Sequence, residues 1–95
     1  MKLRWTERSQ RDLDEIERFI ARDDPDAGRR WVALLEERAR AAAVAPLAGR
    51  SVPEIGHADV REVLVKRYRI VYLVRAGDIV VLTVFESHRL LPPIA

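Results

Sequence analysis

The last third of this 95-residue chain holds the side chains best suited to binding a polyanion. Guanidinium groups bind phosphate and carboxylate through paired hydrogen bonds, and imidazole can also exchange a proton near neutral pH. The candidates for a basic, target-facing patch are Arg61, Lys66, Arg69, Arg75, His88 and Arg89. Cations on an exposed strand also prevent edge-to-edge aggregation, so the pattern alone leaves a functional and a protective interpretation open.

The charge distribution points to the same part of the chain. The full sequence has 17 Lys and Arg against 15 Asp and Glu, for a formal net charge of +2. Residues 1–59 carry a net charge of −1, whereas residues 60–95 carry +3. A net charge this small does not mark a general nucleic-acid binder. The concentration of positive charge in the C-terminal third nevertheless predicts that this part of the chain faces a target.

Proton-transfer chemistry has few candidate residues. General acid–base catalysis needs two titrating groups within hydrogen-bonding reach of the substrate. Glu62, Glu86 and His88 are the nearby groups, and His88 is the one suited to act as a base near neutral pH. A lone histidine after a strand is more often a solvated or capping residue, so these residues alone do not predict an enzyme.

Composition excludes several other classes of site. The chain has no cysteine, which excludes a disulfide framework, a thiolate metal site and a cysteine nucleophile. His57 and His88 lack metal-ligand spacing, and we expect neither a metal nor a cofactor. No apolar run reaches the roughly 20 residues of a membrane span. Charged sequence follows the N-terminus directly where a signal peptide would be apolar, so a cytoplasmic protein is expected.

Two helices are predicted before the basic region. Thr6 offers an N-cap for a first helix over residues 7–22, and Asp24 with Pro25 begins a second over residues 25–43. The apolar positions that recur at helical spacing are Leu13, Ile16, Phe19 and Ile20, then Ala27, Trp31, Leu34, Leu35, Ala39 and Ala42. The short connection between the helices predicts an antiparallel hairpin.

Strands account for most of the remaining chain. Leu3 and Trp5 alternate with charged residues and predict a short first strand, and residues 44–59 are predicted to be a loop. Residues 60–66, 67–75 and 78–86 are predicted strands, the last two joined by a tight turn at Ala76-Gly77 and therefore antiparallel. The order β-α-α-β-β-β predicts a single α+β domain over residues 1–95, with the helical hairpin packed on one face of a mainly antiparallel sheet.

Alternation also predicts which side chains meet the helices. Placing the cations outward costs least desolvation, which turns the tyrosine side of residues 67–75 toward the core. The predicted inward residues are Tyr68, Ile70, Tyr72 and Val74, and the outward ones are Arg69, Val71, Leu73 and Arg75. In the last strand, Val80, Leu82 and Val84 are predicted to lie opposite Ile79, Val81, Thr83 and Phe85.

These segments together resemble a known family. The stretch from Arg61 to Val74 resembles the middle strands of the RelE/ParE superfamily of toxins from type II toxin–antitoxin modules, most specifically in Tyr68-Arg69-Ile70-Val71-Tyr72. Residues 84–92 are similar to the family's closing strand and following basic turn. The phrase Asp12-Leu13-Asp14-Glu15-Ile16 and the loop at residues 49–54 also fit, so the resemblance covers nearly the whole chain and agrees with the predicted element order.

The resemblance implies one of two activities. RelE-like members cleave mRNA on the ribosome, and the matching basic and acid–base residues here would be Arg61, Arg69, His88 and Arg89. ParE-like members poison DNA gyrase and carry no nuclease constellation. A RelE-like nuclease often has a C-terminal tyrosine, but no aromatic residue follows Phe85 in this chain, which favours the ParE-like branch. A nontoxic module that only binds an antitoxin is the third alternative.

The resemblance also implies a protein partner. Such toxins are neutralised in a hetero-oligomer by a cognate antitoxin, here expected to be ParD-like and of the ribbon-helix-helix type. The disordered C-terminal segment of that antitoxin would fold over the toxin. Trp31 is the candidate anchor on the helices, and the alternative is that Trp31 simply belongs to the core.

Overall fold

The computed structural model describes residues 1–94 and begins with a strand followed by the predicted helical hairpin. Strand β1 is Lys2–Trp5, helix α1 is Glu7–Ala21 and helix α2 is Pro25–Val44. The Thr6 hydroxyl accepts a hydrogen bond from the Ser9 amide of α1, and the Asp24 carboxylate accepts from the first amides of α2. Both predicted caps are therefore confirmed. Within residues 1–94, neither helix combines the length and apolar character needed to cross a bilayer.

The sheet has five strands and mixed direction. After a single 3₁₀ turn at Pro46–Ala48 come β2 (Arg50–Ser51), β3 (Val60–Val65), β4 (Tyr68–Arg75) and β5 (Asp78–Glu86). The spatial order is β1-β5-β4-β3-β2, with β1 parallel to β5 and every other pair antiparallel. The turn between β4 and β5 places Gly77 at φ +87°, in agreement with the predicted tight turn. Strand β2 lies within the segment predicted as loop, because two residues are too few to display alternation.

The helices cover one face of the sheet and form the main core there. Leu13, Leu35 and Ala39 pack against residues of β3, β4 and β5, with Ala42 and Ala43 continuing the contact toward the end of α2. The sheet residues in these clusters are Val65, Tyr68, Ile70, Tyr72, Ile79, Val81 and Val84, with Val63 and Val74 at their margins. The predicted inward face of β4 is therefore confirmed.

A β-bulge changes the alternation of β5. Val71 pairs with Thr83, whereas the next residue, Tyr72, pairs with Val81, so Leu82 is an extra residue on the β5 side. The bulge brings Val81 and Val84, three residues apart, into the same helix-facing cluster. The alternation predicted for residues 78–86 therefore holds for Val81 and Leu82, which lie on opposite sides, and is wrong beyond the bulge. Val84 shares a face with Val81, and Phe85 belongs to the opposite cluster.

The opposite face of the sheet is also covered. Val52, Val60, Val71 and Phe85 form a second buried cluster. The residues that pack around it are Leu73, Leu82, Leu91 and Ile94. The expectation that this face lies open is wrong, because β4 and β5 carry large apolar side chains on both sides and the hydrophobic effect favours covering both. The loop after β2 and the C-terminal residues supply the cover.

A buried carboxylate fastens α1 to β5. One oxygen of Asp12 accepts hydrogen bonds from the Thr83 hydroxyl at 2.6 Å and the Val84 amide at 3.0 Å. The other oxygen accepts from Arg8 Nε at 3.1 Å. The contact gives a buried charge three donors and orients the helical hairpin on the sheet.

Gly49 occupies a position that has no room for a side chain. The Tyr72 hydroxyl donates a hydrogen bond to the Pro46 carbonyl at 2.7 Å, which holds the phenol beside Gly49. A Cβ at residue 49 would overlap the Tyr72 hydroxyl and would lie 2.9 Å from the backbone oxygen of Glu62. The chain therefore enters β2 in direct contact with β3 and β4.

Gly49→Ala is expected to lower the free energy of unfolding by about 1–3 kcal/mol, the usual cost of overpacking a filled interior. Urea denaturation of the wild type and variant measures this change. Tyr72→Phe removes the hydroxyl oxygen that a Cβ at residue 49 would overlap. The double variant should therefore lose less stability than the sum of the losses in the two single variants. Additive effects would show that the two residues do not compete for the same space.

Candidate functional site

Arg69 lies at the centre of a buried network of charges on the outer face of the sheet. Its side chain is only 8% exposed. Nε donates to Glu62 Oε1 at 2.7 Å, while Nη1 and Nη2 each donate to a different oxygen of Glu54 at 2.8 Å. The guanidinium carbon lies 4.9 Å from the centre of the Phe85 ring. Glu54 thus contacts the Nη1–Nη2 edge of the guanidinium, Glu62 contacts its Nε, and Phe85 contacts one of its faces.

Glu62 is the most deeply buried member of this network. Its side chain is fully buried and accepts a second hydrogen bond, from Arg50 Nε at 2.6 Å. We call Arg50, Glu54, Glu62 and Arg69, together with Phe85, the Arg69 cluster. Its two cations and two carboxylates cancel in formal charge. The cluster joins β2, the loop after it, β3, β4 and β5.

The predicted outward direction of Arg69 is confirmed, but its predicted exposure is wrong. A cation on the outer face of a strand was expected to avoid desolvation by facing water. Here Glu54 and Glu62 instead compensate the lost hydration with three short hydrogen bonds. Hydrogen bonds from Arg69 lower the pKa of Glu54 to about 2, and the same pairing raises the pKa of Arg69 above its ordinary value. Both groups therefore remain charged at neutral pH.

Arg61 and Lys66 do not join Arg69. Arg61 pairs with Tyr72 across the strands, and its guanidinium donates to the carbonyls of Gly49 at 3.0 Å and Ala58 at 3.2 Å. Lys66 lies in the turn after β3 at φ +53°, with Nζ 5.6 Å from the centre of the Trp31 ring. The sequence could not assign these residues to a surface without the register of β3.

Arg75 belongs to a separate ion cluster at the far end of the β4–β5 hairpin. Its Nε and Nη2 donate to the two oxygens of Asp78 at 2.9 and 2.8 Å, and Arg4 Nε donates to Asp78 at 2.8 Å. These hydrogen bonds, that from Arg75 first, lower the pKa of Asp78 to about 2. Arg4 joins Arg75 because β1 pairs in parallel with β5, a register that the sequence did not reveal.

His88 and Arg89 are exposed, as are Lys66 and Arg75 of the predicted patch. The His88 and Arg89 side chains are each 69% exposed, and each lies near Glu86, with His88 Nδ1 at 3.6 Å and Arg89 Nη2 at 3.7 Å. Arg89 also lines a groove of about 510 Å³ between α1 and the C-terminal residues. Arg18 and Phe19 of α1, and Arg22 directly after it, line the same groove. Arg18, Arg22 and Arg89 are exposed cations that line this groove.

Trp31 is half-buried at the margin of the core. Its ring meets Tyr68 edge to face with the ring centres 5.3 Å apart. Lys66 Nζ and Arg67 Cζ each lie 5.6 Å from its centre. The structure thus gives Trp31 a packing role, and its role as an antitoxin anchor stays a prediction.

Sequence reasoning missed four contributors to the Arg69 cluster: Arg50, Glu54, Glu62 and Phe85. The sequence pattern presents Glu62 only as a titrating neighbour of His88. Glu62 and Arg69 could be recognised as an ion pair from their positions on β3 and β4 if the register between these strands were known. The sequence alone does not give that register. Among residues 1–94, no group of three potential metal-ligating side chains comes together.

The fold and its charge pattern define a class of small α+β protein in which a helical hairpin packs on a five-stranded sheet. Residues 3–91 match the family model described as "ParE toxin of type II toxin-antitoxin system, parDE", so the chain belongs to the ParE toxin family. The chain is 37% identical over 98 residues to "Putative toxin Y4kP" of Sinorhizobium fredii, an alignment covering 98% of this chain and 95% of that protein.

A solved structure, described as "Chromosomal ParDE TA system from P. aeruginosa", shares the fold. Superposition gives a TM-score of 0.77 at 20% sequence identity. The match covers 93% of this chain and 97% of that one. The predicted RelE/ParE-like fold and family are confirmed.

Arg69→Ala is expected to lower the free energy of unfolding by about 3–5 kcal/mol, because it leaves the Glu62 carboxylate buried with one partner fewer. Arg89→Ala is the matched control and should change stability by no more than about 0.5 kcal/mol, since Arg89 is exposed. Urea denaturation of both variants provides the measurement. Equal stability of the two would contradict a structural role for Arg69.

The lowered pKa of Glu54 predicts a contribution to stability that is lost in acid. A carboxylate whose pKa is lower in the folded state than in the unfolded state stabilises the fold at any pH above its unfolded-state pKa. This contribution disappears as the pH falls toward its folded-state pKa. Glu54 has a reference pKa of 4.5 and a folded pKa of about 2, so the loss should fall between these values. Glu54→Gln should therefore be less stable than the wild type at pH 7, and the gap should narrow by pH 3.

Glu37→Gln, at an exposed position of α2, supplies the control for this comparison. Chemical denaturation of the three proteins at pH 7, 5 and 3 gives the required free energies. A constant gap between the wild type and Glu54→Gln at all three pH values would refute the assigned pKa.

Proposed function

We propose that this chain acts as a non-enzymatic toxin that inhibits DNA gyrase and is neutralised by a cognate ParD-like antitoxin. Membership of the ParE family supports the toxin assignment. The observation that carries the choice of target is the neutralisation of Arg69 by Glu54 and Glu62. A guanidinium held in this way has no free edge for the phosphate of an mRNA substrate.

The other residues needed for RNA cleavage also give that alternative no support. Cleavage through a 2′-hydroxyl needs a base to take its proton and a cation at the phosphate. Arg61, the other strand cation, donates to backbone carbonyls on the other side of β3 and so does not lie beside Arg69. The geometry therefore favours a toxin that acts by binding, and the exposed cations of the groove beside α1 are its proposed target contacts.

The antitoxin is proposed on separate grounds. The structural relative from P. aeruginosa is described as a ParDE toxin–antitoxin system, which supports a protein partner in the same kind of complex. We propose a hetero-oligomer in which a ribbon-helix-helix antitoxin covers part of the toxin. The half-buried ring of Trp31 between two cations is the proposed anchor for it on the helical hairpin.

The gyrase proposal predicts that purified toxin, released from its antitoxin, blocks supercoiling of relaxed plasmid and accumulates a cleaved gyrase–DNA complex. The double variant His88→Ala/Arg89→Ala should reduce this effect about tenfold, which corresponds to about 1.4 kcal/mol of binding free energy. Arg40→Ala, which removes an exposed cation from α2, should retain wild-type potency. Gel analysis of plasmid topology measures all three.

The alternatives give different results in parallel assays. Codon-linked breaks in primer extension on mRNA from expressing cells, with normal supercoiling, would replace the gyrase proposal with ribosome-dependent mRNA cleavage. Unimpaired growth after induction without antitoxin would instead favour an inactive antitoxin-binding module. Thermal unfolding of each variant confirms that a loss of potency reflects binding and not folding.

A further inference from the structure

The contact between Arg69 and Glu54 has the geometry of an anion-binding site whose ligand is part of the chain. Two parallel N–H donors of one guanidinium meet the two oxygens of one carboxylate, both at 2.8 Å. Phosphate presents oxygens with matching spacing to the same edge of arginine. We propose that the Arg69 cluster is a built oxyanion site and that Glu54 is the residue that excludes phosphate from it.

The guanidinium is held rigidly for such a role. Glu62, whose side chain is fully buried, fixes Nε at 2.7 Å, and Phe85 lies against the face of the group at 4.9 Å. The remaining edge, formed by Nη1 and Nη2, points to the Glu54 carboxylate. Because the contacts with Glu62 and Phe85 do not involve Glu54, they can keep the same edge in position when its charge is removed.

The local charge favours one anion at this position. Without Glu54, the two cations Arg50 and Arg69 face the single carboxylate of Glu62, leaving a formal charge of +1 beside a buried acid. A phosphodiester and dihydrogen phosphate each carry one negative charge and would restore neutrality. The cluster is thus matched in charge as well as in donor geometry to a monoanionic phosphate group.

The site lies within reach of solvent. The Glu54 side chain is 40% exposed, and it belongs to an exposed run from Pro53 to Asp59. Amides of Ile55 and Gly56 donate to the Val52 carbonyl at 3.0 and 2.9 Å, which holds the turn that carries Glu54. A tethered carboxylate acts at high effective concentration, so it outcompetes phosphate in solution. Removing it should open the site without opening the core.

The experiment compares phosphate binding by the wild type, Glu54→Ala and Glu54→Gln. Inorganic phosphate and a short single-stranded oligonucleotide serve as probes, and the Arg69 Nε–Hε resonance in ¹⁵N NMR reports on the site. The wild type should show no saturable shift, whereas Glu54→Ala should bind phosphate at least tenfold more tightly. Circular dichroism establishes that each variant is folded, and Glu54→Gln retains the side-chain shape if Glu54→Ala does not fold.

Two controls separate the site from a general gain of positive charge. Glu86→Gln removes a carboxylate beside exposed Arg89 and should show no comparable gain. Arg69→Lys in the Glu54→Ala background keeps the charge but loses the bidentate donor pair, and should abolish the new binding. If only inorganic phosphate binds with saturation, the site is specific for free phosphate. If the oligonucleotide binds as tightly or more tightly, the site accepts a phosphodiester. Either result supports the proposed oxyanion site.

The proposal is overturned if folded Glu54→Gln and Glu54→Ala bind phosphate no better than Glu86→Gln. It is equally overturned if the wild type binds as tightly as these variants, since Glu54 would then exclude nothing. The inference does not rest on the proposed gyrase target. Failure of the supercoiling assay would leave the phosphate titration unchanged, and failure of the titration would leave the supercoiling result standing.

Discussion

Two arginines and one fully buried glutamate impose the main constraint on this structure. Glu62 lies beneath the outer cover of the sheet, where an unpaired carboxylate would cost several kcal/mol, on the order of a domain's whole stability. Arg50 and Arg69 meet its two oxygens, and Glu54 then balances the second cation. Each partner comes from a different segment, so the network requires β2, the following loop and the central strands to be in register together.

The apolar residues of the sheet impose a related constraint. Strands β4 and β5 carry large side chains toward the helices and also toward the second cluster around Val71 and Phe85. Both helices lie on one side of the sheet, so the loop after β2 and the C-terminal residues cover the second face. The Arg69 side chain is buried beneath these covering residues, so its charge needs carboxylate partners within the protein. The bulge at Leu82 lets β5 serve both faces.

These constraints separate the structural cations from those available to a partner. Arg69 and Arg75 have carboxylate partners and help to hold strands together, and Arg61 ties β3 to the residues before β2. His88 and Arg89 remain exposed next to a groove formed by α1. The basic patch inferred from sequence thus divides into residues bonded within the fold, Lys66 beside Trp31, and the exposed pair His88 and Arg89. In the function we propose, the surface around His88 and Arg89 contacts the target.

The amino-acid sequence by itself determined the helical hairpin, the strands and the face of β4 that meets the helices, because these features depend on local period, capping and turn residues. Thr6, Asp24 and Gly77 acted within a few residues of their own positions. The tertiary structure alone decided the Arg69 cluster, the parallel pairing that brings Arg4 to Asp78, and the bulge at Leu82. Those features depend on register between segments distant in sequence, and a shift of one residue would send each side chain to the opposite face. Residue type identified the cations, but only long-range pairing determined which of them are neutralised.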